Sequence, residues 1–184
     1  MQHLLDKWNI KIDYNTILSM WNESHRSYHS QTHLVDLIDD INQIRTTLTE
    51  KEYDKLILCA LFHDIIYDPS KFDNEEKSAQ FFINCCSDKT DPDILEVKEM
   101  ILDTKTHQSD NKLSSIFNKL DMKIVGGNIE DLKVWEKGIK EEFVPVFGID
   151  NYKKGRLQFL NSLLDKYPNN SKNLLDLIDI VSKY

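Results

Sequence analysis

The sequence predicts an all-α fold, a single-domain bundle of eight or nine helices over residues 1–184. Five glycines and four prolines occur in 184 residues, well below the combined average of about 12%, so turns are few. Apolar residues recur at spacings of three and four along most of the chain, whereas the strict alternation of a half-buried strand is almost absent. A β-sandwich or β-barrel is therefore excluded.

The first three helices follow from apolar periodicity and end signals. Asp13 opens a helix that extends to about Trp21. The apolar stripe that ends at Leu48 predicts a second helix, which begins near Ser30. The run over 56–66 is nearly all apolar, and it predicts the central buried helix.

The later helices are marked by caps and breaks. Asp73 followed by Glu76 resembles a capping box for a helix to about Cys86. Asp91-Pro92 provides an N-cap with proline at the first helical position, for a helix that ends near Thr104. The remaining predicted helices cover 112–123, 129–143, 151–167 and 172–182.

Charge and cysteine content limit the class of protein. Lys and Arg number 23 against 31 Asp and Glu, which gives a net charge of −8, so a broad nucleic-acid-binding surface is disfavoured. Three cysteines without CxxC spacing suggest neither disulfides nor a thiolate zinc site. No signal peptide and no membrane span are recognisable. We therefore expect a reduced, cytoplasmic protein that binds neither nucleic-acid polymer nor membrane.

Polar residues occupy positions where the pattern demands apolar ones. His63 and Asp64 lie inside the most hydrophobic stretch of the chain. A buried carboxylate without a partner costs several kcal/mol, and a cation is the usual remedy. The alternative is a structural polar pair that hydrogen-bonds to its neighbours.

Two further residues share this misplacement. His33 precedes Leu37 by four residues, and Asp121 follows Phe117 by four, so both lie on apolar stripes. Two imidazoles and two carboxylates on three helices suit a divalent ion such as Mn, Fe, Co, Ni, Zn or Mg. An open coordination position and a bound water of lowered pKa would favour metal-assisted hydrolysis.

Two residues are candidates for catalysis beside the metal. His29 precedes His33 by four residues and could donate a proton to a leaving group, or it could be an exposed surface histidine. Glu75 lies at the predicted start of a helix. Its carboxylate could orient the metal-bound water or support a ligand histidine, or it could simply be an acid favoured by the helix dipole.

A phosphorylated substrate would require fixed cations. Arg156, in the local basic cluster with Lys153 and Lys154, could bind phosphate bidentately, whereas a solvated helix face is the alternative for the two lysines. Arg26 is a second candidate for phosphate binding. His107 is a possible substrate contact, an extra metal ligand, or a loop residue.

The residues His33, His63-Asp64 and Asp121, in this order, resemble the HD superfamily of metal-dependent phosphohydrolases. Four blocks are similar to a small predicted HD phosphohydrolase group: Tyr28-His29-Ser30-Gln31-Thr32-His33, Phe62 to Pro69, Asp73 to Ala79, and Leu120 to Gly126. Gly155-Arg156 fits the same group, so the motif-bearing core covers about 26–156.

The resemblance implies an HD-domain-like fold and a divalent metal held by His33, His63, Asp64 and Asp121. Similarity to cyclic nucleotide phosphodiesterases implies that His29 is the proton donor. We therefore expect a metal-dependent phosphohydrolase, a phosphomonoesterase or phosphodiesterase, that cleaves a phosphate ester of a small metabolite such as a nucleotide by attack of metal-bound hydroxide. The alternative is a metal-containing nucleotide-binding or sensor module without turnover.

Overall fold

The computed structural model describes all 184 residues and contains ten α-helices and no β-strand. The helices are α1 (Gln2–Lys7), α2 (Tyr14–Trp21), α3 (Gln31–Gln43), α4 (Glu50–Phe62), α5 (Asn74–Cys85), α6 (Pro92–Asp103), α7 (Lys112–Asp121), α8 (Ile129–Phe147), α9 (Ile149–Lys166) and α10 (Ser171–Ser182). The all-α prediction is confirmed. The predicted count is low because the sequence reading did not identify α1. None of the helices combines the length and the apolar character that a bilayer crossing requires.

The chain divides into two compact units, Met1–Asp121 and Met122–Tyr184, called unit 1 and unit 2 below. In unit 1, α4 packs against α3, α5, α6 and α7. In unit 2, α10 packs against both α8 and α9. The single domain over 1–184 stays a prediction, because each unit is compact in its own right.

The central helix α4 begins and ends earlier than the predicted range 56–66. It begins at Glu50 because Thr49 and Glu52 form a capping box that satisfies the first free N–H groups. Every residue from Leu56 to Phe62 is buried. The polar stretch before Leu56 is therefore the first part of this helix rather than a connection.

The predicted ends of other helices can be checked in the same way. Ser30 is the N-cap of α3, and the Asp91 side chain accepts from the Asp93 N–H at the start of α6, so both predicted starts are confirmed. The capping box predicted for α5 is wrong. Its N-cap Asp73 makes no side-chain cap bond and pairs with Lys77 instead, at 2.8 Å.

The N-terminal segment completes the core of unit 1. Leu5 and Ile10 are buried there. Ile10 forms an isolated antiparallel bridge with Cys86. Beside it the Lys11 N–H donates to the Cys85 carbonyl at 2.7 Å, and the Ser87 N–H to the Asn9 carbonyl at 3.2 Å. These backbone bonds hold the segment against the C-terminal end of α5.

Candidate metal centre

His63 and Asp64 lie at the C-terminal end of α4, not inside a helix as the sequence predicted. His63 is the C-cap residue, and Asp64 follows it outside the helix. The His63 side chain is 1% exposed and that of Asp64 17%. The two polar side chains, His63 and Asp64, therefore lie just after the buried helix α4, where the backbone is no longer helical.

The two ring nitrogens of His63 have different surroundings. Nδ1 lies 3.0 Å from the Ala60 carbonyl oxygen, and because a carbonyl only accepts, Nδ1 carries the proton. Nε2 is then the atom with the lone pair, and it is buried without a hydrogen-bond partner. It lies 3.3 Å from Asp64 Oδ2 and 3.6 Å from Asp121 Oδ1. A lone pair facing two carboxylates is an arrangement that a cation stabilises.

The other two predicted ligands complete this cluster. His33, on α3, places Nε2 3.0 Å from Oδ1 of Asp121, the last residue of α7. Their side chains are 9% and 12% exposed. Ligand atoms of His33, His63 and Asp64 lie within 4.8 Å of one another. The structure thus brings together all four side chains that the sequence reading selected.

Asp121 is held by histidines on both of its oxygens. His107 Nε2 lies 3.0 Å from Oδ2, opposite the contact of His33 with Oδ1. Burial alone would raise the pKa of Asp121, but the hydrogen bonds from His107 and His33 hold that pKa well below its usual range. The carboxylate of Asp121 is therefore ionised, which is the form that a metal ligand requires.

His107 reaches Asp121 from an unusual backbone conformation. Its φ is +51°, in the left-handed region that few residues other than glycine adopt. The sequence predicts that His107 is a substrate contact, an extra metal ligand or a loop residue. In the structure the imidazole of His107 contacts Asp121, a candidate metal ligand. This contact supports a role for His107 in orienting the Asp121 carboxylate.

His29 lies close to His33, although not through helical spacing. Because α3 begins at Gln31, His29 belongs to the preceding loop. Its ring centroid is 6.3 Å from that of His33 and 4.4 Å from that of Tyr67. The loop thus brings His29 beside the cluster, and its role as proton donor stays a prediction.

Glu75 lies in the first turn of α5. Its Oε2 is 3.8 Å from Lys105 Nζ, and the same ammonium lies 2.5 Å from Glu76 Oε1. The side chain of Glu75 is 27% exposed. The catalytic role of Glu75 stays a prediction, with Lys105 as the partner that the structure shows.

Two residues that shape the site were not identified from the sequence. Asn74 Oδ1 accepts from the Asp68 N–H at 3.1 Å, and its Nδ2 donates to the Asp68 carbonyl at 2.9 Å. Ser78 Oγ accepts from the Ile66 N–H at 3.1 Å. Both side chains are buried and hold the segment that follows Asp64. Their spacing of four, in line with buried Phe82, is the signal that could have revealed them.

Arg156 lies in unit 2, buried rather than on a solvated helix face. Its Nε donates to Glu136 Oε2 at 2.7 Å, and the guanidinium carbon lies 4.1 Å from the Trp135 ring centroid. The Tyr152 hydroxyl donates to the other oxygen of Glu136 at 2.6 Å. One terminal nitrogen of Arg156 has no hydrogen-bond partner. The phosphate-binding role of Arg156 stays a prediction.

No protein-family model, characterised protein or solved structure matches this chain. Its function is therefore inferred from the geometry of the four-residue cluster and from the motif resemblance.

Proposed function

We propose that the protein is a metal-dependent phosphohydrolase that cleaves a phosphate ester of a small metabolite such as a nucleotide. One observation carries the proposal. His63 Nε2 is buried, has no hydrogen-bond partner and lies within 3.6 Å of two carboxylates. Buried polar groups are normally satisfied by protein neighbours, and this nitrogen faces two carboxylates instead, which favours a metal ion over a structural polar pair.

The donor set suits a divalent metal ion. His33, His63, Asp64 and Asp121 supply two imidazoles and two carboxylates without a thiolate, a set that fits Mn, Fe, Co, Ni, Zn or Mg. When bound, such an ion lowers the pKa of a coordinated water and polarises a phosphoryl oxygen. This is the chemistry that phosphate-ester hydrolysis requires.

The neighbouring residues supply positioning and proton transfer. His107 forms a hydrogen bond with Oδ2 of Asp121, and this bond fixes the direction of Oδ1, the oxygen that faces His33. His29, whose ring lies beside those of His33 and Tyr67, would protonate the leaving oxygen of the ester. Burial of His63 and Asp121 limits water around the reacting groups and strengthens charge interactions there.

A screen of phosphate esters and nucleotides against several divalent ions, with phosphate release as the readout, tests the proposal. Asp64→Ala should reduce both bound metal and hydrolysis to background. Asp39→Ala is the matched control, because it removes an exposed carboxylate of α3. Unchanged turnover in Asp64→Ala would contradict the proposal.

The same screen separates hydrolysis from a sensor function. Calorimetric titration that shows tight nucleotide binding, with no phosphate released over hours, would replace the enzyme with a metal-containing binding module. Elemental analysis that finds no ion after metal supplementation would contradict both functions.

A further inference from the structure

The guanidinium of Arg26 is buried between two segments of the candidate metal centre. The side chain is completely shielded from solvent. NH1 donates to the His29 carbonyl at 3.1 Å and to the Asp64 carbonyl at 2.8 Å, and NH2 donates to the Ile65 carbonyl at 3.1 Å. A single side chain thus contacts the backbone of the candidate proton donor and of a candidate ligand.

The acceptors are backbone groups that need a partner. The carbonyls of Asp64 and Ile65 come directly after the end of α4, where helical hydrogen bonding stops. Buried backbone carbonyls outside a helix need another donor, and a positive charge near a helix C-terminus interacts favourably with the helix dipole. Arg26 therefore stabilises the backbone at the point where α4 ends and the ligand residues begin.

The surroundings hold the guanidinium in one orientation. Its Nε donates to Glu23 Oε2 at 3.0 Å, which balances the buried charge. The guanidinium carbon lies 5.4 Å from the Trp21 ring centroid and 5.3 Å from that of Tyr67. A planar group between two rings cannot swing freely.

The hydrogen bonds of Arg26 leave few N–H donors for a phosphate group. Four bonds engage a group that has five N–H donors. Bidentate phosphate binding requires two parallel N–H groups. The phosphate contact that the sequence reading suggested for Arg26 is therefore not supported.

We propose that Arg26 is a positioning residue. Its hydrogen bonds fix the backbone of Asp64, a candidate metal ligand, relative to the loop that carries His29, the candidate proton donor. This inference rests on the proposed function, since it concerns the same metal centre. Arginine is required because a lysine ammonium has no planar fork to bind three carbonyls from two segments.

The test compares Arg26→Gln with Arg45→Gln as the matched control. Arg45 also lies over an aromatic ring, that of Tyr53 at 4.3 Å, but it lies outside the cluster. We expect Arg26→Gln to bind Co²⁺ about 10-fold to 100-fold more weakly, as for other residues that orient ligands. Its Co²⁺ absorption spectrum should change, and kcat should fall with KM for the best ester nearly constant. Arg45→Gln should match the wild type in all four measurements.

The outcomes separate this inference from the proposed function. Wild-type Co²⁺ affinity and spectrum in a folded Arg26→Gln overturn the positioning role, and a raised KM in that variant restores the phosphate contact. Absence of Co²⁺ binding by the wild type overturns the proposed function and this inference together. If Arg26→Gln does not fold, Glu23→Ala decides, because it removes the side-chain acceptor of Nε and keeps the carbonyl bonds. A smaller spectral change supports the proposal, and an unchanged spectrum overturns it.

Discussion

The two units bury polar clusters of opposite character. In the cluster of His33, His63, Asp64 and Asp121 in unit 1, Nε2 of His63 has no hydrogen-bond partner, and its neighbours are the carboxylates of Asp64 and Asp121. In unit 2, Glu136 and Arg156 neutralise each other at 2.7 Å, and the unpartnered atom is a donor of the guanidinium. The first cluster is the candidate site for a cation, whereas in the second the buried carboxylate is paired with a buried guanidinium.

The difference shows why burial of charge alone does not reveal a metal site. Glu136 is 2% exposed, less than Asp64, yet it receives hydrogen bonds from Arg156 and Tyr152. Those bonds satisfy its oxygens within the protein. What distinguishes the cluster in unit 1 is the buried Nε2 of His63, which has no hydrogen-bond partner and faces two carboxylates, an arrangement that a divalent ion would stabilise.

The largest change in stability is expected from loss of the buried ion pair between Glu136 and Arg156 in unit 2. Glu136→Gln leaves Arg156 buried without its counter-charge, so the free energy of unfolding should fall by about 3–5 kcal/mol. Urea unfolding followed by circular dichroism measures this change. Glu130→Gln, which removes an exposed partner of Lys133, is the control and should change stability by less than about 1 kcal/mol. Equal changes in the free energy of unfolding would contradict the expected difference between the buried Glu136–Arg156 pair and the exposed Glu130–Lys133 pair.

A smaller effect is expected from the residue that orients Asp121. His107→Asn keeps a residue type that tolerates positive φ and removes the imidazole contact with Oδ2. Metal affinity, measured by calorimetry, should weaken about 10-fold. His3→Asn, an exposed histidine of α1, should have no effect. Unchanged metal affinity with a higher KM would assign His107 to the substrate instead.

The smallest effect should come from an exposed pair, which extends the comparison to charges in water. Hydrogen bonds from Lys112, and then from Thr49, lower the pKa of Glu52 from 4.5 to about 2. Because the folded pKa is the lower one, Glu52 stabilises the fold above pH 4.5, and this stabilisation is lost as the pH falls towards 2. The melting temperature of Glu52→Gln should therefore depend less on pH between 2 and 4.5. A pH dependence identical to the wild type would exclude this contribution.

The helices that local signals define were predictable, and the end of α4 was not. Asp91-Pro92 contains its own cap, so the start of α6 could be seen in two adjacent residues. In contrast, the backbone beyond Phe62 is held by Arg26 and Ser78, which are distant in sequence. Apolar residues continue to Ile66, so periodicity alone extends the helix too far.

The same division applies to the candidate site. The four candidate ligands were predictable because each is a polar residue in an apolar pattern. The roles of His107 and Arg26 depend on a left-handed turn and on contacts with backbone carbonyls. Sequence patterns describe side-chain types and spacing, and they do not show which carbonyl an arginine will reach.

The backbone bridge between the N-terminal segment and α5 has a consequence for synthesis of the chain. Asn9 and Ser87 are separated by 78 residues, so Ile10 leaves the ribosome long before Cys86, with which it forms the backbone bridge. Contacts with such separation form only after a large loop has closed. A nascent chain or fragment that stops before α5 therefore lacks the bridge partner of Ile10, and the apolar side chain of Ile10 is then more exposed and favours aggregation.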